Sequence, residues 1–273
     1  MSDSRSKGTA LITGASAGIG AIYADRLAKR GYDLILVARN EARLKSLAAR
    51  LTSETGRSVK MQYADLGDKA ELAQVEAVLR HDPSITMLVN NAGTASVAPL
   101  LNADVDKMEA IITLNVTALT RLTYAAAPAF VARGAGTIIN IGSIVGISPE
   151  TLNGVYGASK AFVIAFSQSL QHELSDKGIR IQVVLPGATA TDLWKNAGLP
   201  WQKLPPAIVM TPDKMVDAAL AGLDQGELVT IPSLHDGEEW IRFEAGRRAI
   251  SQRFGNAVPA PRYGSGAPAR QRA

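Results

Sequence analysis

Short apolar runs recur along the chain, separated by longer segments whose apolar residues return every three or four positions. Residues 9–13, 33–38, 58–63, 86–90, 136–141, 180–185 and 228–231 form the short runs. Most are continuously apolar, as in DLILVA (33–38), which is the pattern of strands buried on both faces of a sheet. The helical period occupies 19–30, 41–55, 69–81, 106–133, 156–177 and 212–225. Pro128 should bend or break the long helix 106–133. Gly178 should close the helix 156–177 as a left-handed cap. Strands alternating with helices predict an α/β fold: a doubly wound, mostly parallel seven-stranded sheet with helices on both faces.

Composition changes this picture little. The 273 residues are 47% hydrophobic and 20% charged, which suits one globular core rather than a disordered or fibrous chain. The expected organisation is a flexible N-terminus (1–7), a single domain (8–254) and a flexible basic tail (255–273) rich in Gly, Pro, Ala and Arg. No cysteine is present, so disulfides, thiolate metal sites and cysteine nucleophiles are excluded. His81, His172 and His235 are far apart and lack metal-ligand spacing, so no metal is expected. The net charge of +4 hints at nucleic acid, but its distribution argues otherwise. After Ile241 stand seven arginines and one glutamate, a net +6 that leaves the first 241 residues at −2. A late helix with a basic face is the plainer reading. No apolar run is long enough to cross a membrane or follows the polar N-terminus as a signal sequence, so a cytoplasmic protein without membrane or nucleic-acid partners is expected.

The first strand runs into Thr13-Gly14-Ala15-Ser16-Ala17-Gly18-Ile19-Gly20 and then directly into a helix. Glycines there allow a tight turn and close approach of backbone to a pyrophosphate, which the helix N-terminus would hold. The spacing is G-x-x-x-G-x-G, and its place between strand and helix favours a nucleotide over simple helix packing. The second strand ends at Ala38, followed by Arg39 and Asn40. An acid near this point would bind a ribose 2′-hydroxyl, whereas an arginine accommodates a 2′-phosphate. Arg39 therefore points to NADP(H), with Ser16 as a second donor and Asn40 as a further hydrogen-bonding group.

Several further motifs follow in order: Ala64-Asp65-Leu66, Asn90-Asn91-Ala92-Gly93, Leu114-Asn115-Val116, Ser143, Tyr156-Gly157-Ala158-Ser159-Lys160 and Pro186-Gly187. With the glycine turn, this set resembles the short-chain dehydrogenase/reductase family, whose Rossmann-like fold carries a Tyr-x-x-x-Lys site. The resemblance covers roughly residues 8–235 and implies an oxidoreductase with Asn115, Ser143, Tyr156 and Lys160 as its catalytic set. It implies cofactor contacts at Gly14, Ser16, Ala17, Gly18, Ile19, Gly20, Arg39, Asp65, Leu66, Asn91, Ala92, Gly93, Tyr156, Lys160, Pro186, Gly187, Thr189 and Thr191. It also implies that Asn115 distorts its helix and holds a water leading to Lys160, and that the two long helices form a homodimer or homotetramer interface. One departure stands out: Thr189 occupies the position where many relatives carry Ile or Val.

Carbonyl reduction needs a hydride donor, a proton donor and a group that polarises the carbonyl oxygen. Tyr156 and Lys160 are four residues apart on a helix and so share a face. The lysine ammonium, joined by an oxidised nicotinamide, should lower the tyrosine pKa from about 10 toward neutrality, and Ser143 should hold the substrate oxygen. Residues Thr94, Val97, Ile144, Val145, Leu152, Asn153, Leu193 and Trp194 should line a mostly apolar pocket for a carbonyl or alcohol substrate, best a small hydrophobic ketone or aldehyde. The alternative is a non-catalytic NADP(H)-binding regulator, whose members would have lost the Ser, Tyr or Lys retained here.

Overall fold

The computed structural model describes residues 6–152 and 154–263. Strands β1 (Thr9–Thr13), β2 (Asp33–Ala38), β3 (Val59–Tyr63), β4 (Ile85–Asn90), β5 (Gly136–Ile141), β6 (Ile179–Val184) and β7 (Val229–Thr230) form one sheet in the order β3-β2-β1-β4-β5-β6-β7. Every pairing in it is parallel. The connecting helices are α1 (Gly18–Lys29), α2 (Glu41–Thr55), α3 (Lys69–His81), α4 (Val105–Ile112), α5 (Leu119–Arg133), α6 (Gly154–Leu174), α7 (Asp192–Asn196) and α8 (Pro212–Asp224), and α9 (Gly237–Ser251) follows the last strand.

Successive strand residues point to opposite faces, and this splits the core in two. Ile12, Leu36, Val89 and Ile139 pack with Leu27 of α1, Leu44 of α2 and Leu220 of α8. Their neighbours Leu11, Ile35, Leu88 and Ile138 pack with Leu72 of α3, Leu122 of α5 and Leu170 of α6. Strand order reverses between β1 and β4, so a crevice opens at their C-terminal ends.

The long helix expected over 106–133 is broken, but not by Pro128, which lies inside an unbroken α5. Its neighbours Ala125, Ala126 and Phe130 are buried, and core packing holds the turns on either side of the missing N–H. The interruption comes earlier, as a π-helical segment over Thr113–Ala118 centred on Asn115. Helix α6 starts at Gly154, two residues before the expected start, and ends at Leu174; a 3-10 turn (Ser175–Lys177) then leads to Gly178, whose φ of +75° gives the left-handed closure.

The chain divides into two compact units, with the boundary after Ser233. The second contains α9, capped by the Asp236 carboxylate, which accepts from Glu238 N at 3.0 Å. Within α9 the Trp240 and Phe243 rings are 5.3 Å apart, and Arg247 pairs with Glu244 at 2.9 Å. Residues 1–5 and 264–273, which make up most of the terminal segments expected to be flexible, lie outside the described residues, as does Asn153. Among the described residues no helix is long and apolar enough to cross a membrane, and no His/Asp/Glu group has the makings of a metal site.

Candidate active site

Strand β1 delivers the chain into a turn that only glycine permits at several points. Gly14 and Gly18 have φ of +64° and +54°, in the left-handed region. A Cβ on Gly20 would stand 2.4 Å from the Gly14 carbonyl oxygen, so α1 packs on the turn only without a side chain there. The turn is fixed from the neighbouring strand. Thr13 Oγ1 accepts from Asn91 N and Ala92 N, each at 3.0 Å. Asn91 Nδ2 donates to Thr13 O at 2.9 Å and to Gly14 O at 3.2 Å. The Asn91 side chain thus staples the two turns together.

The start of α1 differs from those of α2, α3, α4, α8 and α9. Each of these has a side-chain cap, from Asn40, Asp68, Asp104, Thr211 and Asp236 respectively. Ala17 at the N-cap of α1 provides none, and its first turn holds no acid. The positive end of this helix dipole and its N–H groups are left to an anion.

One lip of the crevice follows β2 and β3. Arg39 is 74% exposed and lies 3.4 Å from the Asp65 carboxylate. Asp65 does not cap α3; that role falls to Asp68, while Asp65 Oδ1 accepts from Gly67 N at 2.9 Å. Leu66 is buried in the core, so it offers only backbone to the crevice. Asn40 spends its side-chain oxygen on Arg43 N at 2.9 Å.

Helix α6 places Tyr156 and Lys160 one turn apart, both buried, with Lys160 Nζ 5.9 Å from the tyrosine ring centre. Ser143, after β5, shares a side-chain hydrogen bond with Tyr156. Lys160 Nζ donates to the Ile141 carbonyl at 2.8 Å. Asn115 Oδ1 accepts from Thr94 N at 2.9 Å, and its Nδ2 donates to Thr94 O and Ser159 Oγ. Ser159 Oγ in turn donates to Tyr156 O at 2.7 Å. Gly93 closes this group: a Cβ there would lie 3.1 Å from Asn115 Oδ1 and 3.7 Å from Lys160 Nζ. Asn115, Ser143, Tyr156 and Lys160 therefore meet at the C-terminal ends of β4 and β5.

Burial sets the electrostatics of the two groups. Burial pushes Tyr156 up to about 12, against the opposing hydrogen bond from Ser143. Burial also pulls Lys160 down to about 8. The ammonium does not lower the phenol here, because it is itself desolvated and directed at the Ile141 carbonyl. At neutral pH the site presents a protonated phenol beside a cation. That arrangement can donate a proton to an oxygen gaining negative charge.

The segment after β6 is tied to its neighbours. The Pro186 carbonyl accepts from Ile144 N at 3.1 Å, and Thr189 bridges to Met210. Thr189 Oγ1 donates to Gly187 O at 3.1 Å. A polar residue is thus accommodated at the position where many relatives carry Ile or Val. Thr191 stands against the glycine turn, its methyl 3.1 Å from where a Cβ on Gly18 would be. Val97 N donates to Ala197 O at 3.1 Å, joining the loop after β4 to the end of α7. Val145, Ile144 and Leu152 cluster with Tyr156, and Leu193 and Trp194 on α7 are half-buried.

The family model for short chain dehydrogenases matches residues 8–200. The chain belongs to the short-chain dehydrogenase family. A short-chain dehydrogenase from Sphingobium yanoikuyae in complex with NADPH is 50% identical, with a TM-score of 0.92 over 94% of this chain and 100% of that one. The bulky-bulky ketone specific alcohol dehydrogenase from Comamonas testosteroni is 44% identical, with a TM-score of 0.88 over 95% of this chain and 99% of that one. The very-long-chain 3-oxoacyl-CoA reductase of Anas platyrhynchos is 34% identical over 77% of this chain and 67% of its own.

Three features of this short-chain dehydrogenase escape a motif reading. The Ile141 carbonyl anchors Lys160, but a backbone acceptor has no residue-type signature. Thr13 looks like the last residue of a strand, yet its hydroxyl holds the turn after β4. Arg43 on α2 pairs with Asp192 on α7 at 3.2 Å, although 149 positions separate them.

Proposed function

We propose that this short-chain dehydrogenase reduces hydrophobic ketones with NADP(H), with Tyr156 as the proton donor. The observation that carries this reading is the buried Tyr156 joined to Ser143 and one turn from Lys160. When bound, the cofactor supplies the hydride. The uncapped start of α1 and the glycine turn would hold its pyrophosphate, Arg39 and Ser16 its 2′-phosphate, and Lys160 its nicotinamide ribose. Thr191 would reach the carboxamide. Ser143 and Tyr156 would fix the substrate oxygen, and Tyr156 would give it a proton. Ile144, Val145 and Leu152 form apolar walls beside the phenol. The likeness to the Comamonas enzyme supports ketones that are bulky on both sides. NADPH consumption over a panel of ketones of graded size and polarity tests this: turnover should concentrate on apolar members, and turnover confined to charged or sugar ketones would contradict it.

Arg39→Ala should lower the preference for NADPH over NADH by about ten-fold or more. A charge-assisted contact contributes roughly 1.5–3 kcal/mol, and 1.4 kcal/mol is a factor of ten. The ratio of kcat/KM with the two cofactors measures it.

We further propose a homodimer or homotetramer built on α5 and α6. Tyr124, Phe166 and Phe162 stack across these helices with ring centres 6.4 and 5.6 Å apart, and Tyr124 is 69% exposed. Light scattering at micromolar concentration should give a multiple of the chain mass.

A further inference from the structure

Arg43 stands on the first turn of α2, four residues beyond Arg39, on the lip expected to face the adenosine end of the cofactor. Its guanidinium reaches across to Asp192 Oδ2, at 3.2 Å, on the first residue of α7. Asp192 follows Thr191, whose methyl lies against Gly18 of the glycine turn. The Arg43 guanidinium is therefore carried from the lip after β2 toward the segment that adjoins the phosphate-binding turn. Its contact with Asp192 is a single N–O approach between side chains that are 55% and 64% exposed. Such pairs are weak and exchange partners readily.

The charge balance of this lip gives Arg43 a purpose. A phosphate monoester carries close to two negative charges at neutral pH. Arg39 brings one positive charge, already partly answered by Asp65 at 3.4 Å. One shared guanidinium leaves a dianion undercompensated, and Arg43 is a second cation four residues further along the chain. We propose that Arg43 is a second specificity-determining residue for the 2′-phosphate, and that it leaves Asp192 for the phosphate when the cofactor binds. This rests on the NADP(H) reading above. It makes Asp192 a competitor rather than a support, because its carboxylate occupies the cation that the phosphate needs.

Isothermal titration of NADPH and NADH into the wild-type protein, Arg43→Gln and Asp192→Asn tests the assignment without turnover. Arg43→Gln should weaken NADPH about five- to ten-fold, and Asp192→Asn should tighten it about two- to five-fold. NADH affinity should stay within about two-fold in both variants. If the ion pair merely straps α7 down, both substitutions weaken both cofactors alike, and the proposal falls. It falls also if Arg43→Gln leaves the NADPH-to-NADH ratio unchanged in a protein that prefers NADPH. A wild-type protein that prefers NADH instead overturns the NADP(H) reading itself, so the two failures are told apart by the first titration.

Discussion

Tyr156→Phe should lower kcat for ketone reduction by about 10²–10⁴-fold, the usual contribution of a positioned proton donor. The substitution removes one hydroxyl from a ring that is already buried against Met108, Ile111 and Val145, so packing is preserved. Ser143 Oγ keeps its neighbours Pro186 O and Val145 N, each at 3.4 Å, and no buried hydroxyl is stranded. Folding stability should therefore change by no more than about 1 kcal/mol. NADPH affinity should be nearly unchanged, because the lost group acts on the substrate oxygen. Steady-state kinetics with a parallel cofactor titration check both halves; a variant that turns over normally would remove Tyr156 from the mechanism.

Lys160→Met should abolish most turnover and yet raise stability at neutral pH. Burial brings this lysine from its ordinary 10.5 to about 8. Below pH 8 the folded protein must carry a desolvated charge that the unfolded chain keeps in water, and this opposes folding. Between about 8 and 10.5 the unfolded chain binds the extra proton, so wild-type stability rises with pH across that window. The cost at pH 7 is about 3 kcal/mol from the pKa difference. Methionine removes it, less the hydrogen bond to Ile141, for a net gain of roughly 1–3 kcal/mol. Denaturant unfolding of both proteins should show this gain at pH 7 and its decline toward pH 10. A variant less stable than wild type at pH 7 would mean that the hydrogen bond to Ile141 outweighs the desolvation. The same burial that opposes folding sets Lys160 one turn from Tyr156, a stability cost at the candidate site.

The strands and the main helices were legible because their signals are local. DLILVA reads as a buried strand on its own, and the residues around Gly14–Gly20 show the turn without a partner. The candidate quartet could be picked out because Tyr156 and Lys160 share one helix and Asn115 and Ser143 sit in recognisable motifs. What stayed hidden depends on contacts between distant segments. Pro128 reads as a helix breaker, and only its buried neighbours Ala126 and Phe130 carry α5 through it. The helix distortion at Asn115 was implied by the resemblance, but not its cause, the lock of its side chain onto Thr94, 21 residues away. The burial of Tyr156 and Lys160 was not legible, since four residues on a helix say that two groups share a face but not how deeply they are buried. The Arg43–Asp192 pair joins α2 to α7, and neither residue belongs to a motif.

The most direct test follows an isotope. The protein is given NADPH deuterated at the transferable position and a bulky apolar ketone, and the product alcohol is analysed by mass spectrometry and NMR. The account predicts one deuterium on the carbinol carbon, at a rate that falls by about 10²–10⁴-fold in Tyr156→Phe. NADPH that binds but yields no labelled alcohol from any ketone offered would contradict it and mark the chain as a cofactor-binding protein without this catalysis.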